Sequence, residues 1–464
     1  MPMTALRFLI LSPACMLLQA CTPVPAPQLL TPSWSVAGSE TGSQFGMRAM
    51  SAGDVNGDGF DDLIVGAPQW GQGRGQAHLY LGSARGLGAR PAWTTQGGEA
   101  GELWGNRVGQ AGDVNGDGDG DVYVAAPGWR GGQGRVAVFY GSKQGLRARP
   151  DWVAAPGDLG GLFGDCTHPT GDLNGDGYDD LAIGAYGYDS NRGRVRLYLG
   201  SAQGMAQRPV WQRDGEAAHD WYGYGVGAAG DVNGDGFADL LAGAKYNDQG
   251  GANAGKAYLY WGAPAGPSMD GAWTYLGRKP GANASVRVSV AGDVNGDGFS
   301  DVLLTAPGED GQGGELALFL GGLGGLKRGP DQRIQTPKGL SFFGQGACPA
   351  GDLDGDGFDD VAVHGRGAEG RGHALIYRGS AKGLSAHPVW QVDGPEPADR
   401  FAWWLAPAGD VDGDGLSDLV ISAESQGAGR IHVVLGRQFR AALGDPAPPL
   451  RLSGKRLRGY LPKK

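Results

Sequence analysis

Apolar positions along this chain fall in short runs that stop at glycine, and the runs come in pairs. Leu63-Ile64-Val65 leads into Gly66-Ala67-Pro68, and Ala77-His78-Leu79-Tyr80-Leu81 ends at Gly82. The second run of each pair ends in the same way at Gly141, Gly200, Gly262, Gly321, Gly379 and Gly436. Runs this short, bounded by turn residues, predict β-strands rather than helices. A further position precedes each pair in constant phase and is tryptophan in six of seven copies: Trp34, Trp93, Trp152, Trp211, Trp273, Gln332 and Trp390. A second column holds Phe45, Trp104, Phe163, Tyr222, Ala284, Phe343 and Phe401, usually followed by glycine.

Between these columns a polar nonapeptide, Asp-x-[Asn/Asp]-Gly-Asp-Gly-x-x-Asp, occurs seven times. Successive copies are 59, 59, 59, 62, 59 and 58 residues apart. A constant period of this length means stacked supersecondary units rather than independent domains. Each unit offers one strand before the nonapeptide, two after it and one around the tryptophan. Four antiparallel strands per unit, seven times over, predict an all-β fold: a seven-bladed β-propeller of four-stranded blades. The tryptophan strand precedes the first unit and is missing after the last. An N-terminal strand at Trp34 is therefore expected to complete blade seven and close the ring.

Composition agrees. With 90 glycines and 28 prolines in 464 residues, helical bundles are excluded, and 13 tryptophans with 41% hydrophobic residues speak against disorder. The Phe-Gly and Gly-Ala-Pro landmarks around the nonapeptide resemble FG-GAP repeats, the units of the integrin α-subunit propeller. The resemblance runs over residues 32–436. Repeat five departs from it with Ala284-Ser285, and repeats six and seven with His364-Gly365-Arg366 and Ser422-Ala423-Glu424. No inserted domain, leg domain or membrane helix is read in the chain, so integrin ligand specificity is not carried over.

The nonapeptide has the chemistry of a calcium loop. Position one supplies Asp54, Asp113, Asp172, Asp231, Asp293, Asp352 and Asp410, and position three supplies Asn56, Asn115, Asn174, Asn233, Asn295, Asp354 and Asp412. Position five is Asp58, Asp117, Asp176, Asp235, Asp297, Asp356 and Asp414, and position nine is Asp62, Asp121, Asp180, Asp239, Asp301, Asp360 and Asp418. These oxygens, with the carbonyl of position seven, can surround one hard cation. Position seven is Phe60, Asp119, Tyr178, Phe237, Phe299, Phe358 and Leu416; apart from Asp119, its side chain is expected to pack inward. An EF-hand is excluded, because position twelve of the first loop is Val65 and strands flank the motif. The net charge is −10, which seven Ca²⁺ ions would reverse, so the acidity is read as metal sites rather than as a preference for a basic partner.

The first twenty residues, with Arg7 as their one charge, read as a secretory signal. Leu18-Gln19-Ala20-Cys21 resembles a bacterial lipobox, which makes Cys21 the expected lipidation site of an envelope lipoprotein. Thr22, in place of the retention signal Asp, leans toward the outer membrane. Residues 21–31, rich in proline, are expected to form a tether, and residues 437–464 a basic tail. That tail is solvated or meets anionic lipid. Cys166 and Cys348, on inner strands three blades apart, are expected to remain free thiols.

Gly250–Lys256 imitates a phosphate-binding loop, but Ala257 stands where a magnesium-binding hydroxyl is needed. No catalytic signature is found, and nothing points to nucleic acid. The expected function is a monomeric, calcium-stabilised propeller that binds a protein or surface ligand. A carbohydrate-binding lectin is the alternative, and a polysaccharide-active enzyme is less supported. Aromatics in the loops after Gly-Ala-Pro and in the blade-to-blade connections mark the expected ligand face over blades one to four: Trp70, Trp104, Trp129, Tyr186, Tyr188, Trp221, Tyr222 and Tyr246.

Overall fold

The computed structural model describes residues 26–444 apart from 158–159, 269–272, 309–313, 398–399 and 425–426. Seven sheets with an antiparallel four-stranded body form the blades of a β-propeller, and in six of them the four strands of that body pair in chain order. Blade one consists of Ala49–Gly53, Asp62–Ala67, Gln76–Tyr80 and Trp93–Gln96. The first strands of successive blades lie side by side, and Phe401–Gly409 of blade seven lies beside Ala49–Gly53 of blade one. In blade seven Trp34–Ala37 pairs with Arg430–Val434, Trp34 standing opposite Val433.

The inner strand of each blade slips register one residue before its nonapeptide, as at Ser51/Gly53 in blade one. Gly53 takes φ +71° there, a left-handed conformation that costs glycine little. The bulge turns the chain into the loop, and all seven blades carry a glycine at this point.

The core is divided into seven apolar clusters, each sandwiched between two neighbouring blades. Leu79, Ile64 and Ala77 of blade one, for example, pack with Val122, Val124 and Phe139 of blade two. In blades one, two and four the outer-strand tryptophan fastens the junction through both its ring and its indole N–H. Trp93 meets Phe139 edge-on at 4.9 Å, and its indole N–H donates to the Arg147 carbonyl at 2.9 Å. Trp152 and Trp273 make the same pair of contacts with their own neighbours. Gln332 keeps the polar half of this arrangement, donating to the Leu384 carbonyl at 2.7 Å. That explains why one column tolerates both residues: the hydrogen bond is retained while the ring is lost.

Two expectations for the ends of the chain are corrected. Within the expected tether, Gln28–Leu30 is a strand, pairing in parallel with Trp390–Val392 as a fifth strand of blade six. The expected tail begins as a helix, Gly436–Ala442, whose Phe439 is fully buried. Blade seven ends its third strand at Val434, where other blades carry Tyr80, Phe139, Tyr198, Tyr260, Phe319 or Tyr377. Phe439 fills the resulting gap and receives Trp390 at 5.4 Å. Cys21 and the leader before it, and the chain beyond residue 444, lie outside the described residues.

Candidate metal loops and ligand face

The seven nonapeptides stand at one end of the propeller, between the first and second strands of their blades. In blade one the Asp54 carboxylate accepts N–H groups from Asp58 and Gly59 at 2.9 Å each, and Asn56 Oδ1 accepts the Asp58 N–H at 3.0 Å. The loop thus wraps its backbone donors around its own first side chain. Position nine has a second duty. Asp62 accepts N–H groups from Val55 at 3.1 Å and Gly82 at 2.9 Å, tying the loop to the end of the third strand. All seven position-nine aspartates make this pair of bonds, and all are fully buried.

Burying so many carboxylates raises their pKa. Burial pushes Asp62, Asp239 and Asp301 up to about 7 and Asp121 and Asp180 up to about 8, against the pull of their backbone donors. Asp360 and Asp418 are raised well above the usual carboxylate range for the same reason, with repulsion from Asp354 and Asp412 added. In blade six, oxygens of Asp352, Asp354 and Asp356 lie within 4.8 Å of one another, as do those of Asp410, Asp412 and Asp418 in blade seven. Buried Asp412 Oδ1 and Asp414 Oδ2 have no hydrogen-bond partner. An all-oxygen, carboxylate-rich set with unpartnered buried oxygens fits a hard divalent cation.

The loops also hold one another. The N–H of position eight in each blade donates to the position-one carbonyl of the preceding blade, from Gly120 to Asp54 at 2.8 Å round to Asp61 to Asp410 at 3.1 Å. Where position eight is aspartate, its carboxylate accepts a bond in return, as Asp179 does from the Asp113 N–H at 2.8 Å. Position seven corrects the expectation of inward packing. Its side chain lies sideways against the position-four glycine of the preceding loop; a Cβ on Gly116 would stand 2.5 Å from the Tyr178 ring. Between blades one and two Asp119 takes this place and pairs with Lys143 at 2.6 Å. Arg378 pairs with Asp354 and Asp356 at 2.5 and 2.8 Å, and Arg437 with Asp412 at 2.5 Å, so in blades six and seven an arginine already neutralises part of the loop. None of these three cations is part of the nonapeptide, and each stands within two residues of the glycine that ends a third strand.

The expected ligand-face aromatics divide into two groups. Trp104 and Tyr222 are buried, at 3% and 1% exposure, and are withdrawn from that face. Trp104 meets Phe139 edge-on, and the Tyr222 hydroxyl donates to Tyr260 at 3.0 Å. Both stand in the Phe45 column, which is a core position around the ring. Trp70, Trp129 and Tyr188 are half-buried in tight turns at the end away from the metal loops, each beneath an arginine; Arg194 lies 3.7 Å from the centre of Tyr188. Tyr186, Trp221 and Tyr246 come together between blades three and four. Tyr186 stacks on Trp221 at 4.9 Å, and Tyr246 meets Trp221 edge-on at 4.8 Å. Sequence reasoning missed Tyr224, 5.4 Å from Tyr186, and Lys245, whose Nζ lies 4.8 Å from Tyr224 and 4.7 Å from Tyr246. Lys256 of the false phosphate loop pairs with Glu216 at 2.8 Å.

A closed ring of seven blades that present acidic loops at one end defines the class. Family models agree: residues 48–80, 105–139 and 286–319 match the FG-GAP repeat, and 172–242 and 352–421 the FG-GAP-like repeat. The chain belongs to the FG-GAP-repeat proteins and is an integrin-α-like propeller. It is 39% identical to human integrin alpha-IIb over 163 residues, 32% of this chain and 15% of the integrin. It is 30% identical to Drosophila melanogaster integrin alpha-PS5 over 210 residues (42% and 19%) and to Xenopus laevis integrin alpha-5 over 222 residues (45% and 20%). The matches thus span a fifth or less of these relatives' length. Among solved structures, the Dos1 propeller has a TM-score of 0.44 at 11% identity, over 80% of this chain and 74% of that one, which adds nothing to the strand pairings above. No described helix is long and apolar enough to cross a membrane.

Proposed function

We propose that this chain is a binding propeller of the cell envelope, lipid-anchored at Cys21, whose seven loops hold Ca²⁺ as a structural cation. Its opposite face takes a protein ligand. The observation that carries the reading is the aromatic group between blades three and four. Tyr186, Trp221, Tyr224 and Tyr246 gather around Lys245 without being fully buried, although the chain has ample core in which to bury rings. Half-buried aromatics beside a cation are the usual energetic centres of recognition surfaces. The stacked Tyr186–Trp221 pair also supports the second reading, a lectin, because a flat aromatic platform accepts the apolar face of a sugar.

The test uses the exported chain in calcium, with a Trp129→Ala, Tyr188→Ala, Tyr246→Ala variant beside it. The variant is expected to melt like the parent yet lose crosslinks to its envelope partner. Glycan-array binding in place of a protein crosslink would move the conclusion to the lectin. A variant that keeps full ligand affinity would place recognition elsewhere.

A further inference from the structure

At the end of the channel away from the acidic loops, the third residue after the Phe45 column stands at or near the start of each inner strand. It is Arg48 in blade one, Arg107 in blade two, Arg287 in blade five and Trp404 in blade seven. These four side chains, from blades spread around the ring, meet at its centre. The Trp404 indole donates to the Ala49 carbonyl at 2.9 Å, which fixes the ring. Around it stand the guanidinium carbons of Arg48 at 4.4 Å, Arg287 at 4.8 Å and Arg107 at 5.3 Å from the ring centre.

Their hydrogen bonds go to neutral carbonyls. Arg107 Nε donates to Asp165 O at 2.5 Å, Arg287 Nε to Gln345 O at 3.1 Å, and Arg48 Nη1 to Met47 O at 2.7 Å. No carboxylate of the described residues forms an ion pair with any of the three. Asp165, which accepts from Asn106 at 2.7 Å, and Glu424, which faces Arg400 at 3.9 Å, offset only part of the repulsion among the three: Asp165 helps hold Arg107 above its usual pKa, while Arg48 stays below its own. Burial, then repulsion from Arg107 and Arg287, holds the Arg48 guanidinium well below its usual pKa. All three arginines are half-buried, so the mouth remains open to solvent.

Three like charges brought together in a partly desolvated place destabilise one another unless an anion joins them. The Nε contacts orient Arg107 and Arg287 while leaving their terminal amino groups without a hydrogen-bond partner among the described residues. We propose that this channel mouth is a receptor for a tetrahedral oxyanion, a phosphate or sulfate ester carried by the ligand. The terminal amino groups of Arg107 and Arg287 and the remaining one of Arg48 offer donors from three sides to three terminal oxygens, whereas a flat carboxylate offers two. The proposal names the chemistry of the ligand for the same face, and it rests on the preceding reading for the claim that this face is the one that binds.

Calorimetric titration of the calcium-loaded exported chain with methyl phosphate, methyl sulfate and acetate tests it. Saturable binding of methyl phosphate or methyl sulfate, at least tenfold tighter than acetate, is expected, and the stronger arm identifies the ester. Arg287→Gln should weaken that binding at least tenfold without lowering the melting temperature, since it removes repulsion. Arg287→Lys, which keeps the charge and loses the fork, should also weaken it and covers the case in which the first variant fails to fold. Absence of saturable binding, equal binding of acetate, or binding unchanged in both variants would overturn the proposal. The Trp129, Tyr188, Tyr246 variant should keep its affinity for the ester, which separates failure of this site from failure of the protein-binding reading.

Discussion

The two ends of this propeller are built on opposite rules. At the end that carries the acidic loops the same nonapeptide, the same buried aspartate and the same bond from position eight to the preceding blade recur seven times. At the other end the corresponding positions differ from blade to blade: Arg48, Arg107, Cys166, Gly225, Arg287, Gly346 and Trp404. Repetition makes one end a closed hoop, in which each loop supports the next and the last supports the first. Variation lets the other end combine unlike groups at its centre. One scaffold can carry both because the strands between them are pinned by inter-blade cores that depend on neither.

The largest test of this contrast is removal of the cation. Cations that bind only the folded state add stability as the logarithm of their concentration over Kd, about 2.7 kcal/mol per site at a hundredfold excess. With seven filled sites, chelation should lower the melting temperature by about 20 °C. Calcium should restore it better than magnesium. Identical melting curves with and without chelator would remove the metal role.

A smaller effect is expected where the hoop is least regular. Phe439→Ala should empty the slot that receives Trp390 and cost about 3–5 kcal/mol, whereas deletion of residues 445–464 should leave the melting curve unchanged. If the substitution proves neutral, the helix is an ornament and blade seven does not need it.

A third effect is a dependence on pH. Asp62, Asp121, Asp180, Asp239 and Asp301 have folded pKa values raised to about 7 or 8 by burial, above the unfolded value, and Asp360 and Asp418 are raised in the same direction. In chelator their contribution to stability is therefore fully present below the unfolded pKa and is lost as pH rises through about 7 to 8. With calcium the ion takes over the role of the proton, so the decline should flatten, and calcium affinity should rise over the same interval. Melting curves from pH 5 to 8.5, with and without chelator, measure both; parallel curves would contradict the coupling. Among the described residues the opposite end has no carboxylate repeated in all seven blades, so the ligand-face variant should follow the parent curve.

Much of this was legible in the linear chain because a propeller repeats. Strand number, blade count and loop chemistry each appear in seven copies, and the constant phase separates signal from coincidence. The same phase held the answer where the reading of single residues went wrong. Trp104 and Tyr222 share a column with Phe45, Phe163 and Phe343, so their burial could have been read from register rather than from their aromatic character. Lys143, Arg378 and Arg437 were not legible as partners of the loops, because they approach from the end of the third strand.

The sequence by itself determined the local chemistry and the period: glycines where the backbone must turn left-handed, oxygens spaced to surround a cation, apolar runs of strand length. Only the tertiary structure decided what meets across the ring. Trp404 and Arg48 are far apart along the chain yet lie in one contact, and Asp61 bonds to Asp410. Such pairs depend on closure, a single global condition that brings the first blade to the last. No local pattern encodes which side chains then converge on the axis, because convergence there is a property of all seven blades at once.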